Sequence, residues 1–225
     1  GINMRLIDIL NILNILTQLS EGMLFSILIF SVTLILSLPL GLLVAFARMS
    51  KIEAIRIPAS IYISIMRGTP LMLQLMVVYF GPYYIFGIKV VDNYRIIAAL
   101  IGFVINYAAY FAEIYRGGIQ SIGRGQYEAA KLLGYTKTQT FMVIILPQVI
   151  KRILPSITNE VITLIKDTSL AFTISVLEMF SRAKALASSS TSMIPFVVAA
   201  CIYYVFNFIV EFIMNGIEKR LEYYR

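Results

Sequence analysis

An all-α membrane protein with five transmembrane helices is what this sequence predicts, and three observations carry the prediction. Hydrophobic residues fill 59% of the 225 positions, charged residues fill 14%, and the mean hydropathy is +0.84, far from soluble averages in the direction of a bilayer. Five apolar segments, 22–47, 58–80, 95–115, 148–165 and 195–214, come near the ~20 residues needed to cross ~30 Å of hydrocarbon. Lysine and arginine gather on alternate loops, as positive-inside orientation requires. Positions 1–225 read as a single domain, since no internal repeat and no low-complexity linker divides them.

The same composition narrows function. With no histidine, Ser-His-Asp and Cys-His chemistry and histidine metal ligation are removed together, so neither a catalytic residue nor a metal site is expected. Cys201 is the sole cysteine and lies in an apolar run, which excludes an internal disulfide. The net charge of +7 sits at the ends of apolar runs, where it sets membrane orientation instead of binding nucleic acid.

Residues 4–20 open the chain with Leu and Ile interleaved with Asp8, Asn11, Asn14 and Gln18, polar groups three or four apart on one face. That pattern predicts an amphipathic interfacial helix, and no small-residue cleavage site marks it as a signal peptide. The 22–47 span leads to a loop with Arg48, Lys51 and Arg56. The region between the third and fourth spans carries Arg116, Arg124, Lys131, Lys137, Lys151 and Arg152, and the C-terminus carries Lys219, Arg220 and Arg225. The other side has Arg5, Lys89, Arg95, Arg182 and Lys184, so the first set is expected in the cytoplasm, with the N-terminus outside and the C-terminus inside. Residues 168–192, ending in the serine run 188–190, read as a helix that dips into or lies along the outer face.

Residues 124–147 form a charged, glycine-punctuated interruption that stays in water. Glu128, Ala129 and Ala130 begin a short helix with an acid near the positive end of its dipole, and Gly134 ends it.

Polar groups inside a span cost several kcal/mol unless they face a cavity or a partner. In the fourth span Ser156, Glu160, Thr163 and Asp167 fall four, three and four apart, on one helical face. Counted from Arg152 at ~1.5 Å per residue, Glu160 lies about 12 Å deep and Asp167 about 22 Å. In the third span Asn106, Tyr110, Glu113 and Gly117 repeat the pattern, with Asn106 roughly 16 Å and Glu113 roughly 27 Å from Arg95. In the second span Arg67 and Gln74 are seven apart and read as sharing a face, loosened by Gly68 and Pro70. Arg67 and Glu113 read either as a gate or as a buried pair or helix caps near the inner boundary. Glu160, an acceptor-only carboxylate near the midplane, suits a guanidinium or ammonium, while Asn106, Gln74 and backbone groups suit an amino acid carboxylate.

Glu128-Ala129-Ala130, three residues, Gly134, nine residues and then Ile144-x-Leu146-Pro147 match in full the signature of ABC importer permeases, and the chain resembles that family. Arg67-Gly68-Thr69-Pro70, the run 113–119 and Lys166-Asp167-Thr168-Ser169-Leu170 are similar to motifs of its polar amino acid subfamily, the histidine, glutamine and arginine/lysine systems.

The resemblance implies a type I ABC importer permease fold in a bacterial cytoplasmic (inner) membrane. Gly125, Glu128, Ala129, Ala130 and Gly134 would then form a coupling helix seated in a separate ATPase subunit that holds ATP and Mg, since this chain has no G-x-x-x-x-G-K-[ST] run and no cofactor of its own is expected. Other implied partners are a second permease chain, identical or similar, and an extracytoplasmic amino acid-binding protein. The expected function is alternating-access import of a basic amino acid, recognised by Glu160 and Asp167 with Thr163 and Tyr110 alongside. A neutral cargo such as glutamine is the nearest alternative. A passive ion channel built on the acidic face of the fourth span and an intramembrane hydrolase are readings from other classes.

Overall fold

The structure is a computed structural model that describes residues 2–91 and 93–221, with side chains from Ile9 onward, so Arg5, Asp8 and Arg225 lie outside the described side chains. Nine α-helices are found among the described residues: α1 (Ile2–Arg48), α2 (Glu53–Gly68), α3 (Leu71–Phe86), α4 (Tyr94–Gln120), α5 (Arg124–Leu132), α6 (Lys137–Gln139), α7 (Leu146–Asp167), α8 (Met179–Ser190) and α9 (Ile194–Leu221). A π-helical turn, Thr140–Ile145, joins α6 to α7, and a 3-10 turn, Thr168–Ile174, follows α7. Four helical stretches are long and apolar enough to cross a membrane, and α2 with α3 make a fifth span if the bent pair is one crossing.

The first element differs from its expectation. Residues 4–20 are not a separate helix; α1 runs unbroken through Glu21 and Gly22. Its apolar part, Ile9–Arg48, is 40 residues, or ~60 Å of helix, about twice the hydrocarbon thickness. Glu21 is held at that junction by Arg182 at 2.8 Å, so a polar residue there does not break the helix.

The second expected span is broken. Thr69 precedes a proline and is forced extended (φ −122°, ψ 150°), α3 starts after Pro70, and the chain turns by 112°. Gly87 ends α3 in the left-handed region (φ 67°), where its N–H bonds Tyr83 O at 2.9 Å and Ile88 N–H bonds Pro82 O at 3.2 Å.

By its internal contacts the chain divides into two compact units. One comprises 1–34, 70–104 and 162–210. Its core joins Leu19 and Met23 of α1 to Met179 and Ala183 of α8 and Ala199 of α9. Gly22 is required there, because a Cβ would sit 2.8 Å from the Met179 Cα. The Tyr79 and Tyr94 rings stack 6.1 Å apart, and Tyr94 donates to Val78 O at 3.0 Å.

The other unit comprises 35–69, 105–161 and 211–225. Ala45, Ile63, Ala109 and Ala112 form its core, small residues that let membrane helices approach closely. A Cβ on Gly41 would fall 2.9 Å from Ala108 O, so α1 and α4 touch backbone to backbone at that position. A second cluster, Ile122, Ile145 and Val149, holds the start of α7 under the end of α4.

Candidate functional site

The polar residues of the second unit are organised by Pro70. In an unbroken helix the Met66 carbonyl would accept from the N–H four residues on, which Pro70 lacks. Asn106 on α4 supplies the donor, its Nδ2 bonding Met66 O at 3.2 Å, and at 4% exposure it is buried in doing so. Tyr62 donates to Ile105 O in the same layer, and Thr69 Oγ1 donates to Ile65 O at 2.8 Å. Asn106 therefore closes the cut end of α2 with one of its amide N–H groups.

Arg67 and Gln74 do not share a face. The 112° turn lies between them, and a spacing of seven carries no meaning across a break. Arg67 is exposed, with its guanidinium carbon 5.5 Å from the centroid of the Tyr110 ring. Gln74 sits half-buried one turn into α3, its N–H on Pro70 O at 3.2 Å. Nor do Arg67 and Glu113 form the expected pair: Glu113 is clasped by Arg116 one turn along α4, whose Nε lies 3.0 Å from Oε1 and 3.1 Å from Oε2. Arg116 in turn reaches Gln120 Oε1 at 2.6 Å, so this carboxylate belongs to the end of its own helix.

On α7 the residues Ile157, Thr158, Val161, Leu164 and Ile165 are buried. Ser156 and Thr163 are exposed and Glu160 and Asp167 half-buried, so the polar stripe read from the spacing lies off the face that packs. Thr158 on the buried side donates to Glu218 Oε1 at 2.7 Å, which ties the end of α9 to α7.

Within 124–147 two helical stretches, 124–132 and 137–147, flank a four-residue turn, 133–136. α5 starts at Arg124 after Gly123, so Gly125 is its second residue and Glu128 its fifth, beyond the first turn where the dipole would favour an acid. Gly134 takes the left-handed conformation (φ 81°) just past α5, with its N–H on Lys131 O at 3.1 Å and Tyr135 N–H on Ala130 O at 3.0 Å. Ala130 is buried, while Glu128 and Ala129 are exposed and Leu132 and Leu133 stand 89% and 75% exposed. Leu132 ends this polar, nine-residue helix and Leu133 is its C-cap, so two bare apolar side chains stand at its C-terminal end. Thr136 and Gln139 form a reciprocal capping box that starts α6. The π turn then widens the helix just before Pro147, with Leu146 N–H reaching Phe141 O five residues back. Arg152 Nη1 bonds Ser121 O at 2.5 Å, clamping α7 to the loop before α5.

Sequence reasoning passed over Glu178. It caps α8 in the first unit, fully buried, accepting from Phe180 N–H at 2.6 Å, Ser181 N–H at 2.7 Å and Tyr203 Oη at 3.2 Å. The signal was present as an acidic residue just ahead of a short polar helix in 168–192.

With this geometry in hand, comparison with known proteins is informative. Residues 37–223 match the family described as binding-protein-dependent transport system inner membrane component. The chain is 38% identical over 202 residues to a putative glutamine transport system permease protein of Rickettsia bellii (strain RML369-C), covering 89% of this chain and 91% of that one. It is 37% identical over 203 residues to an arginine transport system permease protein of Bacillus subtilis (strain 168), covering 90% and 91%. Among solved structures, an amino acid ABC transporter crystallised with histidines superposes with a TM-score of 0.85 at 31% identity, covering 94% of this chain and 97% of that one.

Proposed function

Since this chain belongs to the binding-protein-dependent transport system inner membrane component family, and is thereby the permease subunit of an amino acid ABC importer, we propose that its cargo is a basic amino acid. The permease is not itself an enzyme; a separate subunit hydrolyses ATP, and the family implies a binding protein as a further partner. The observation that carries the cargo reading is Glu160: a half-buried carboxylate, about 12 Å into a span from Arg152, on the side of α7 that does not pack. An ionised carboxylate, which accepts hydrogen bonds and donates none, favours in that position an arginine, lysine or histidine side chain. Asp167 and Thr163 follow it on the same helical stripe, and the relative named for arginine transport supports the choice.

The remaining parts follow the same reading. Two permease chains face each other, α5 carries Glu128, Ala129, Leu132 and Leu133 into a groove of the ATPase, and the α5 side is cytoplasmic. ATP-driven closure of two ATPase subunits draws the coupling helices together and opens the pathway outward. Glutamine is the second reading, favoured by the relative named for glutamine transport.

Uptake by reconstituted vesicles tests the choice. Glu160→Gln is expected to lower arginine uptake about tenfold or more, the worth of one charge-assisted hydrogen bond, while leaving glutamine uptake unchanged. Arginine uptake untouched by the substitution, or wild-type preference for glutamine, removes the basic reading.

A further inference from the structure

We propose that Arg67 receives the α-carboxylate of the transported amino acid. The proposal rests on the amino acid importer reading and assigns a ligand group that neither the sequence motif nor the family match supplies.

Three sectors divide α2. Ile63 and Met66 turn inward; Ile57, Ile61 and Ile65, each about half exposed at 50, 54 and 51%, form an apolar strip suited to lipid. Ser60, Ser64 and Arg67 fall at i, i+4 and i+7 on a third, polar strip, with Ser64 and Arg67 exposed. A polar strip beside an apolar one, on a helix at membrane depth, belongs to a water-lined path.

Arg67 stands 14 residues beyond Glu53, the first residue of α2, or ~21 Å along a helix that enters ~30 Å of hydrocarbon. A cation at membrane depth is retained where it meets an anion or a cavity. Glu113 on α4 bonds Arg116, and Arg67 acts on it only through space. Asn106 gives one amide N–H to Met66 O. The guanidinium carbon lies 5.5 Å from the centroid of the Tyr110 ring, within cation–π range. A guanidinium can offer two parallel N–H bonds, the fork that a carboxylate accepts. Such a clamp reads the backbone end common to all α-amino acids and leaves side-chain choice to other residues.

Binding of L-arginine, L-glutamine and their α-carboxamides to the permease–ATPase complex in nanodiscs, measured by calorimetry without the receptor, tests this. The wild type is expected to bind each amino acid at least tenfold more tightly than its amide. Arg67→Gln should bring the amino acids down to the amide level with amide affinity unchanged, and Arg67→Lys, a charge without the fork, should fall between. Arg67→Gln weakening acids and amides alike, or the complex separating into subunits on size exclusion, overturns the proposal by making Arg67 a packing or intersubunit residue. A wild type that binds acid and amide equally overturns the Arg67 assignment alone. A wild type, still assembled with its ATPase, that binds neither amino acid overturns the importer reading of the site and this proposal with it.

Discussion

Without an N–H, Pro70 leaves the Met66 carbonyl unsatisfied inside a span, and Asn106 is the side chain that meets it. Spacing alone put Asn106 on a polar stripe with Tyr110 and Glu113, and the stripe exists. What spacing does not carry is which members of a stripe are engaged by their own chain, because that depends on a carbonyl 40 positions away. Glu178 makes the same point in reverse. Burial pushes its carboxyl above the ordinary range, while the N–H groups of Phe180 and Ser181 and the hydroxyls of Ser181 and Tyr203 pull it back. A proton held more tightly in the fold than in the unfolded chain makes stability greatest at low pH. It falls as pH rises from the ordinary value of about 4.5 through the raised one. Glu178→Gln is expected to abolish that dependence in melting curves of the purified protein. It should also lower stability at every pH by about 1–3 kcal/mol, since an amide nitrogen cannot accept from the second backbone N–H.

Helices were legible wherever periodicity or apolar length spoke for a whole element, and illegible where one residue redirected the chain. The four long helices, the glycine stop after α5 and the short helix within 168–192 all follow from patterns in the sequence. The break at Thr69 was written in the same letters, but a proline inside an apolar run reads equally as a kink or a corner. The continuity of α1 was hidden because Asp8, Asn11, Asn14 and Gln18 imitate a separate amphipathic piece, while nothing at Glu21 or Gly22 caps or ends a helix. For α5 the bare side chains of Leu132 and Leu133 give the element its own prediction. Changing both to aspartate leaves the buried contact of Ala130 intact, so the permease should fold and melt as before. Co-purification of the ATPase is expected to fall by tenfold or more, the scale of two exposed leucines losing ~1.5–3 kcal/mol each of burial. Retained ATPase with retained transport would remove these leucines from the interface.

At the scale of the molecule, 56% of the apolar stretch of α4 is buried, against 6% for that of α9. So lipid and further chains are left to cover the rest. A bare α9 and an exposed polar strip on α7 are what a subunit of a larger assembly presents, and the expectation is one permease band and one ATPase band in equal amounts when the transporter is purified. Two distinct permease bands would replace the symmetric pair with a mixed one. Fold class and family were readable because they are statements about composition and motif spacing. Pairings at the site were not, because they are made by residues brought together from distant parts of the chain.

If α5 meets the ATPase as proposed, the helical run from Lys137 onward, capped at Thr136, joins the turn after α5 to the fourth span without a further loop. A flexible tether would stretch and lose part of each stroke. Here the π turn and Pro147 are built into the rod itself, so on that reading a push delivered at Thr136 would travel up it as motion of a stiff spoke, with little backlash at the inner end.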